Sequence, residues 1–276
     1  MPNACKVIST YFGNRLHRTQ RQWPMHSQAA ANAEDSLSVF KDCLEFEHSV
    51  DAGVDYDTII VNNDNGFGKG NEYVNSLDGT PTKRGVIKTI TRPNHGKNFA
   101  AFNEAFKTYR DQYNYWFFTP DDHVYVAKDW YKVTIEKLES DPDIGVVGPI
   151  GIGHLDKEIG KAPHCHDGIA CSDRRKIDMV IEKFGDLAHC PPEINGFNNR
   201  GKTGHIMMGE IPFTNNFEKV GLKVVPVFDK YGLNVVYGSQ EFMPDGWPIL
   251  YNDEIYAIPL YSLTHNEFNC RRFLKS

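Results

Sequence analysis

The hydrophobic positions of the first 150 residues fall into two kinds of segment that alternate along the chain. Short β-branched or aromatic runs at 6–10 (KVIST), 58–61 (TIIV), 86–91 (VIKTIT), 115–118 (YWFF) and 144–149 (IGVVGP) read as strands. Between them lie stretches with helical spacing. Leu37, Phe40 and Leu44 share a face over residues 36–50, and Phe99, Phe102, Phe106, Tyr109 and Tyr113 follow at steps of three and four. Trp130, Val133, Thr134 and Leu138 mark another helix, with Asp129 placed to cap it. Residues 66–84 are polar, glycine-rich and aperiodic, and read as an excursion without regular structure. The order βαβ-βαβαβ implies an α/β fold with a mostly parallel, doubly wound sheet covered by helices.

Beyond residue 149 the alternation is lost. Residues 151–204 are rich in Gly, Pro, His and charge and hold one helix, 174–184, with Ile177, Val180, Ile181 and Phe184 on a stripe. The pattern resumes at 204. Pro212 suits a first helical position, Phe213, Phe217 and Val220 form a face, and Gly221 ends it. Residues 223–228 read as a strand, 231–251 as a loop with several acids, and 255–260 as a last strand followed by His265. The boundary near 150 divides the chain into a half 1–150 and a half 151–276 that carries the insert 151–204, both within one compact domain.

The aromatic run at 115–118 leads into Thr119, Pro120, Asp121, Asp122 and His123. A continuously apolar run suits a strand buried on both faces, and Pro120, with no N–H for a ladder, should end it. The carboxylates and imidazole then sit just past the carboxyl end of a central strand, the edge where open α/β sheets bind ligands. Adjacent carboxylates repel unless a cation or protons join them. Hard oxygen ligands suit Mg or Mn, and a weakly held metal there would clamp a diphosphate. A solvated acidic turn is the other reading of a bare Asp-Asp pair.

Composition narrows the choice. With 276 residues and 40% hydrophobic positions the chain can bury a sizeable core. Its net charge of −6, without a long Lys/Arg run, argues against nucleic acid as a partner. No run approaches a membrane span and no signal pattern opens the chain, so a soluble, cytoplasmic protein with free cysteines is expected. The long segment 15–33, with Arg15, His17, Arg18, Arg21 and Trp23, is either a functional loop at the ligand edge or a solvated one. His164, Cys165, His166, Cys171, His189 and Cys190 could bind zinc, yet their spacings match no finger pattern.

Four segments in order resemble those of inverting, family-2-like glycosyltransferases of the GT-A fold. They are V-I-S-T-Y-F-G-N-R (the family's P-T-Y-N-R), I-I-V-N-N-D-N-G (I-I-V-V-D-D-G-S), R-P-N-H-G-K-N-F-A-A-F-N-E-A (N-x-G-x-x-x-A-x-N) and D-D-H (D-x-D or D-D-N). The resemblance covers residues 6–148 well and 204–265 loosely. It implies transfer of a sugar from a nucleoside diphosphate donor to a hydroxyl of a glycan or glycoconjugate, with a divalent cation, Mn or Mg. UDP is the nucleotide by resemblance, and no residue excludes GDP or dTDP.

Carried over residue by residue, the resemblance implies that Thr10, Tyr11 and Arg15 line the nucleobase pocket and that Asn63 and Asp64 contact the base, Asn63 standing where the family has an acid. Asn94, Gly96 and Lys97 would lie near the ribose and diphosphate, and Asp121 would flank the ribose. The metal would be held by Asp122 with its neighbours assisting, or by Asp121 with His123, and His265 would be a further ligand. The general base would come from an E-D pair, which this chain lacks. Glu241 is the first choice in its place, Asp245 the second and Glu210 a third, more structural one. The insert would set acceptor choice. Two competitors remain open: a retaining GT-A transferase, since D-x-H resembles some of their metal motifs, and a non-catalytic binding protein on the same scaffold. A nucleotidyltransferase should carry a Gly-rich, basic loop directly after the first strand, where this chain has Y-F-G-N-R.

Overall fold

The computed structural model describes residues 3–13, 32–48, 50–121, 123–125, 128–148, 150–152, 163–165, 168–188, 206–226, 249–251 and 254–259. In chain order the strands are β1 (Ala4–Thr10), β2 (Asp57–Asp64), β3 (Ile87–Pro93), β4 (Tyr115–Pro120), β5 (His123–Tyr125), β6 (Ile144–Gly148), β7 (Ile150–Ile152), β8 (Pro163–Cys165), β9 (Ala170–Asp173), β10 (Lys223–Pro226), β11 (Ile249–Tyr251) and β12 (Glu254–Pro259). The helices are α1 (Ala33–Phe46), α2 (Gly68–Ser76), α3 (Lys97–Tyr109), α4 (Trp130–Glu139), α5 (Arg174–Phe184) and, after a π turn at Ile206–Glu210, α6 (Ile211–Lys219).

Seven strands form the main sheet in the order β10-β6-β9-β4-β1-β2-β3. All its pairings are parallel except those of β9, which runs antiparallel between β4 and β6 with Cys171 opposite both Phe117 and Val147. The fold is thus the expected α/β arrangement, with β4 at the centre and ending at Pro120. Strands β9 and β10 bring the later part of the chain into the same sheet as the first.

Side chains alternate between two covered faces. On one, Val7, Val61, Trp116 and Phe118 meet Phe99, Phe102 and Phe106 of α3, with Ile177 and Val180 of α5 and Phe213 and Phe217 of α6. On the other, Ile8 and Ile60 meet Leu37 and Phe40 of α1 and Val74 of α2. Further along that face Phe117 meets Tyr125, Trp130 and Tyr131. Each helix stripe read from the spacing therefore has a sheet face to cover, except that Phe184, at the end of α5, is exposed rather than part of its stripe.

Several details differ from expectation. Residues 68–76 form α2, although only Gly70 and Val74 are buried. One inward valine leaves too little periodicity to read, and the helix is held by its seat on the sheet. Gly70 lies where a Cβ would run into the Phe12 ring, so glycine is what permits that seat. Helix α1 begins at Ala33 because Asn32 caps it, accepting from Asp35 N at 3.0 Å. Asp129 occupies the N-cap position of α4, but its φ is 60° and its side chain makes no cap bond. Ala52 O caps that helix instead, accepting from Tyr131 N and Lys132 N at 3.2 and 3.0 Å. Strand β12 lies outside the main sheet, in a small antiparallel sheet β11-β12-β5 that pairs Pro259 with His123.

Candidate functional site

The carboxyl ends of β1, β2, β3 and β4 bring most of the described candidates to one edge of the sheet. The parallel register pairs Ser9 with Pro120, so Thr10 and Asp121 emerge side by side. Thr10 Oγ1 donates to Asp121 Oδ2 at 2.5 Å, and Asp121 is only 2% exposed. The chain then turns into β5, where His123 is 3% exposed. Two bonds tie this strand down. Cys43 Sγ of α1 donates to His123 O at 3.4 Å, and Tyr125 Oη donates to Thr119 Oγ1 at 2.9 Å.

A buried ion pair lies beneath. Lys6 Nζ meets Glu47 Oε2 at 2.5 Å, Tyr56 Oη donates to Glu47 Oε1 at 3.0 Å, and the ammonium sits 4.6 Å from the centre of the Tyr125 ring. The Glu47 carboxylate and desolvation together raise the Tyr56 phenol well above its ordinary range, desolvation being the larger cause.

At the end of β2 the two neighbours part, because successive side chains point to opposite faces. Asn63 is buried and its amide is engaged on both sides. Nδ2 donates to Ser9 Oγ at 3.1 Å and to Thr10 O at 3.2 Å, and Oδ1 accepts from Arg92 Nη1 at 2.5 Å. Asp64 turns the other way. Its Oδ1 accepts from Asn71 Nδ2 of α2 at 2.8 Å and from Gly66 N at 2.7 Å. Those donations, Asn71 first, hold its carboxyl below the ordinary range.

The exit of β3 is drawn to that of β2 by Asn94 N donating to Asp64 O at 3.1 Å. Gly96 is the N-cap of α3 with φ 67°, and Lys97 follows at φ 50°. A non-glycine residue there costs roughly 1–2 kcal/mol, and such strain tends to gather at ligand sites. Asn98 in the first turn accepts from Ser9 Oγ at 3.1 Å, tying α3 to β1. Tyr11 is half-buried, its ring lying where a Cβ on Gly13 would stand.

Thr10, Tyr11, Asn63, Asp64, Asn94, Gly96, Lys97 and Asp121 therefore lie at or just past the carboxyl ends of β1 to β4, while His123 opens β5 in the small second sheet. Arg15, Asp122, Glu241, Asp245 and His265 lie outside the described residues. Glu210 is buried beside His164, with Oε2 3.2 Å from Nε2. Burial pushes the Cys165 and Cys171 thiols up to about 12. His166, His189 and Cys190 fall outside the described residues. Among the described residues no three His, Cys, Asp or Glu side chains are grouped to hold a metal, and no helix is long and apolar enough to cross a membrane. Sequence reading passes over Arg92, Asn71 and Asn98. The available signal was the place of Arg92, at a strand end one residue before Pro93.

No family model matches the chain, and no curated protein matches it. Among solved structures it is similar to the mannosyltransferase PcManGT from Pyrobaculum calidifontis, in complex with GDP-Man and Mn2+, at 14% identity over 82% of this chain and 54% of that one, with a TM-score of 0.47. It is also similar to CMP:2-keto-3-deoxy-manno-octonic acid synthetase complexed with CTP, at 13% identity over 81% and 88% of the two chains and a TM-score of 0.43. A third is the galactosyltransferase LgtC in complex with donor and acceptor sugar analogs, at 11% identity over 80% and 72% and a TM-score of 0.37. The chain spans about half the length of the first of these. Sugar transferases and a synthetase stand side by side at this distance, so the likeness is one of chain path and separates no activity.

Proposed function

We propose that the chain is a GT-A-type glycosyltransferase, dependent on a divalent cation. It moves a sugar from a nucleoside diphosphate donor, UDP first, to a hydroxyl of a glycan or other glycoconjugate, with inversion at the anomeric carbon. The observation that supports this most is the buried Thr10–Asp121 hydrogen bond. It holds a carboxylate in one orientation at the carboxyl end of the central strand, next in sequence to a second acid and two residues from an imidazole.

The donor atoms suit Mg or Mn: carboxylate oxygens with an imidazole beside them. A full protein cage is not required, since such cations take one or two carboxylates and complete their shell with phosphates and water. Asp122 would be the first ligand, with Asp121 and His123 assisting and His265 a further one. Bound there, the cation would neutralise charge on the departing diphosphate.

The chain's own residues do the rest in this reading. Thr10, Tyr11, Arg15 and Asp64 line the nucleobase pocket. Asn63, its amide occupied by Ser9, Thr10 and Arg92, braces that pocket from behind. Asn94, Gly96 and Lys97 lie by the ribose and diphosphate. Glu241, or Asp245 in its place, takes the proton of the acceptor hydroxyl as it attacks from the face opposite the leaving nucleotide. The half containing residues 151–204 sets the acceptor.

The test is calorimetric titration of UDP, GDP and dTDP into the protein with Mn, with Mg and with EDTA, repeated on Asp122→Asn. One nucleotide binding tightly, with a need for both metal and Asp122, supports the reading. No binding under any metal condition removes it. The anomeric configuration of the product then separates inversion from retention.

A further inference from the structure

Three Lys or Arg residues are buried among the described residues: Lys6, Lys176 and Arg92. Two of them have their counter-ion. Lys6 pairs with Glu47 at 2.5 Å and Lys176 with Asp173 at 2.8 Å. Arg92, 8% exposed, is the exception. Among the described residues it makes no ion pair. Its Nη1 donates only to neutral oxygens, Asn63 Oδ1 at 2.5 Å and His95 O at 3.0 Å.

This omission is costly. Taking a guanidinium out of water needs a compensating charge, which neutral acceptors supply only in part. The surroundings add to the cost. Arg92 bonds the carbonyl of the residue just before Gly96, the N-cap of α3, so it lies by the positive pole of a 13-residue helix. That helix has no acid in its first turn, no side-chain cap, and Lys97 as its first residue. Glu104, further along α3, acts on Arg92 without reaching it, and desolvation outweighs it. A buried cation, a helix pole and a lysine thus converge past the carboxyl end of β3, and no described acid pairs with Arg92.

We propose that Arg92 is an anion-binding residue of this site, held by Asn63 and the His95 carbonyl so that its remaining donors and the start of α3 seat a phosphate group of the ligand. The assignment of that phosphate to a nucleotide rests on the glycosyltransferase reading above; the anion seat itself does not. Arginine suits the task, because its fork can keep one nitrogen on the protein and offer the others to phosphate oxygens.

The test compares wild type with Arg92→Gln, which can still donate to Asn63, and Arg92→Lys, which keeps the charge. Inorganic pyrophosphate in EDTA probes the anion seat, and UDP, GDP and dTDP with Mn probe the nucleotide. Wild type should show a saturable rise in Tm with pyrophosphate beyond that of chloride at equal ionic strength. In Arg92→Gln the pyrophosphate Kd should weaken roughly ten- to a hundredfold, with Arg92→Lys between. The Tm without ligand should be unchanged or higher in Arg92→Gln, because an uncompensated charge has gone. A purely structural arginine predicts the reverse: lower Tm without ligand and an unaltered shift with it. Should Arg92→Gln not fold, an absent pyrophosphate response in wild type would still overturn the proposal. If pyrophosphate binds through Arg92 and no nucleotide does, the anion seat stands and the transferase reading fails. If nucleotides bind Arg92→Gln as tightly as wild type, the seat fails and the transferase reading stands.

Discussion

Thr10→Val removes one hydroxyl from the ligand edge and almost no volume. In the structure that hydroxyl donates to Asp121 Oδ2 at 2.5 Å, with Thr10 1% and Asp121 2% exposed. A hydrogen bond to a charged group contributes about 1.5–3 kcal/mol, and leaving a buried acceptor short of a donor costs a similar amount. For a chain of this size 1 kcal/mol shifts Tm by about 2–4 °C, so Thr10→Val should lower Tm by about 3–12 °C. Thr10→Ser keeps the donor and loses one buried methyl, a loss of about 1 kcal/mol. Urea unfolding of both variants in EDTA gives the stability term. Titration of UDP with Mn then gives the functional one. The Asp121 carboxylate, no longer held by Thr10, should bind less well in Thr10→Val, while Thr10→Ser should bind as wild type. A Thr10→Val protein as stable as Thr10→Ser, with wild-type affinity, would refute the view that this bond orients the acid.

Other predictions test the frame around the site. Lys6→Met leaves Glu47 buried with Tyr56 as a remaining partner and should cost about 3–5 kcal/mol, whereas Lys6→Met with Glu47→Leu should recover most of that in urea unfolding. Gly70→Ala should lower Tm even though alanine ordinarily gains about 1 kcal/mol in a helix, because its Cβ meets the Phe12 ring; a rise in Tm would mean that the ring gives way. The Asp64 carboxyl is depressed by Asn71 and Gly66, so its contribution to stability is present above the unfolded value of about 3.9 and is lost as pH falls through the lower folded value. Asn71→Ala should move its NMR titration up toward that unfolded value and shrink the contribution; an unmoved midpoint would assign the shift to Gly66 alone.

The residues themselves determined the central layers. The runs at 58–61 and 115–118 are β-branched or aromatic throughout, and 6–10 is broken only by Lys6 and Ser9; such runs between amphipathic helices suit a mostly parallel sheet covered on both sides. Pro120 marked the end of the central strand because it lacks a ladder donor. The placing of Asp121 just past the carboxyl end of β4 followed from that one residue. What the sequence could not specify is decided by contacts between segments far apart in the chain. Strand β9 is four residues long, A-C-S-D, and is a strand only because β4 and β6 lie open on either side of it. Helix α2 has one valine to turn inward and depends on the space Gly70 leaves for Phe12. Asn63 and Asp64 read as a matched pair, yet the pleat sends one to Arg92 and the other to Asn71. The missing counter-ion of Arg92 is the clearest case. Charge is written in the sequence, but whether a charge is buried, and whether an acid comes close enough to offset it, is a property of the packed chain alone.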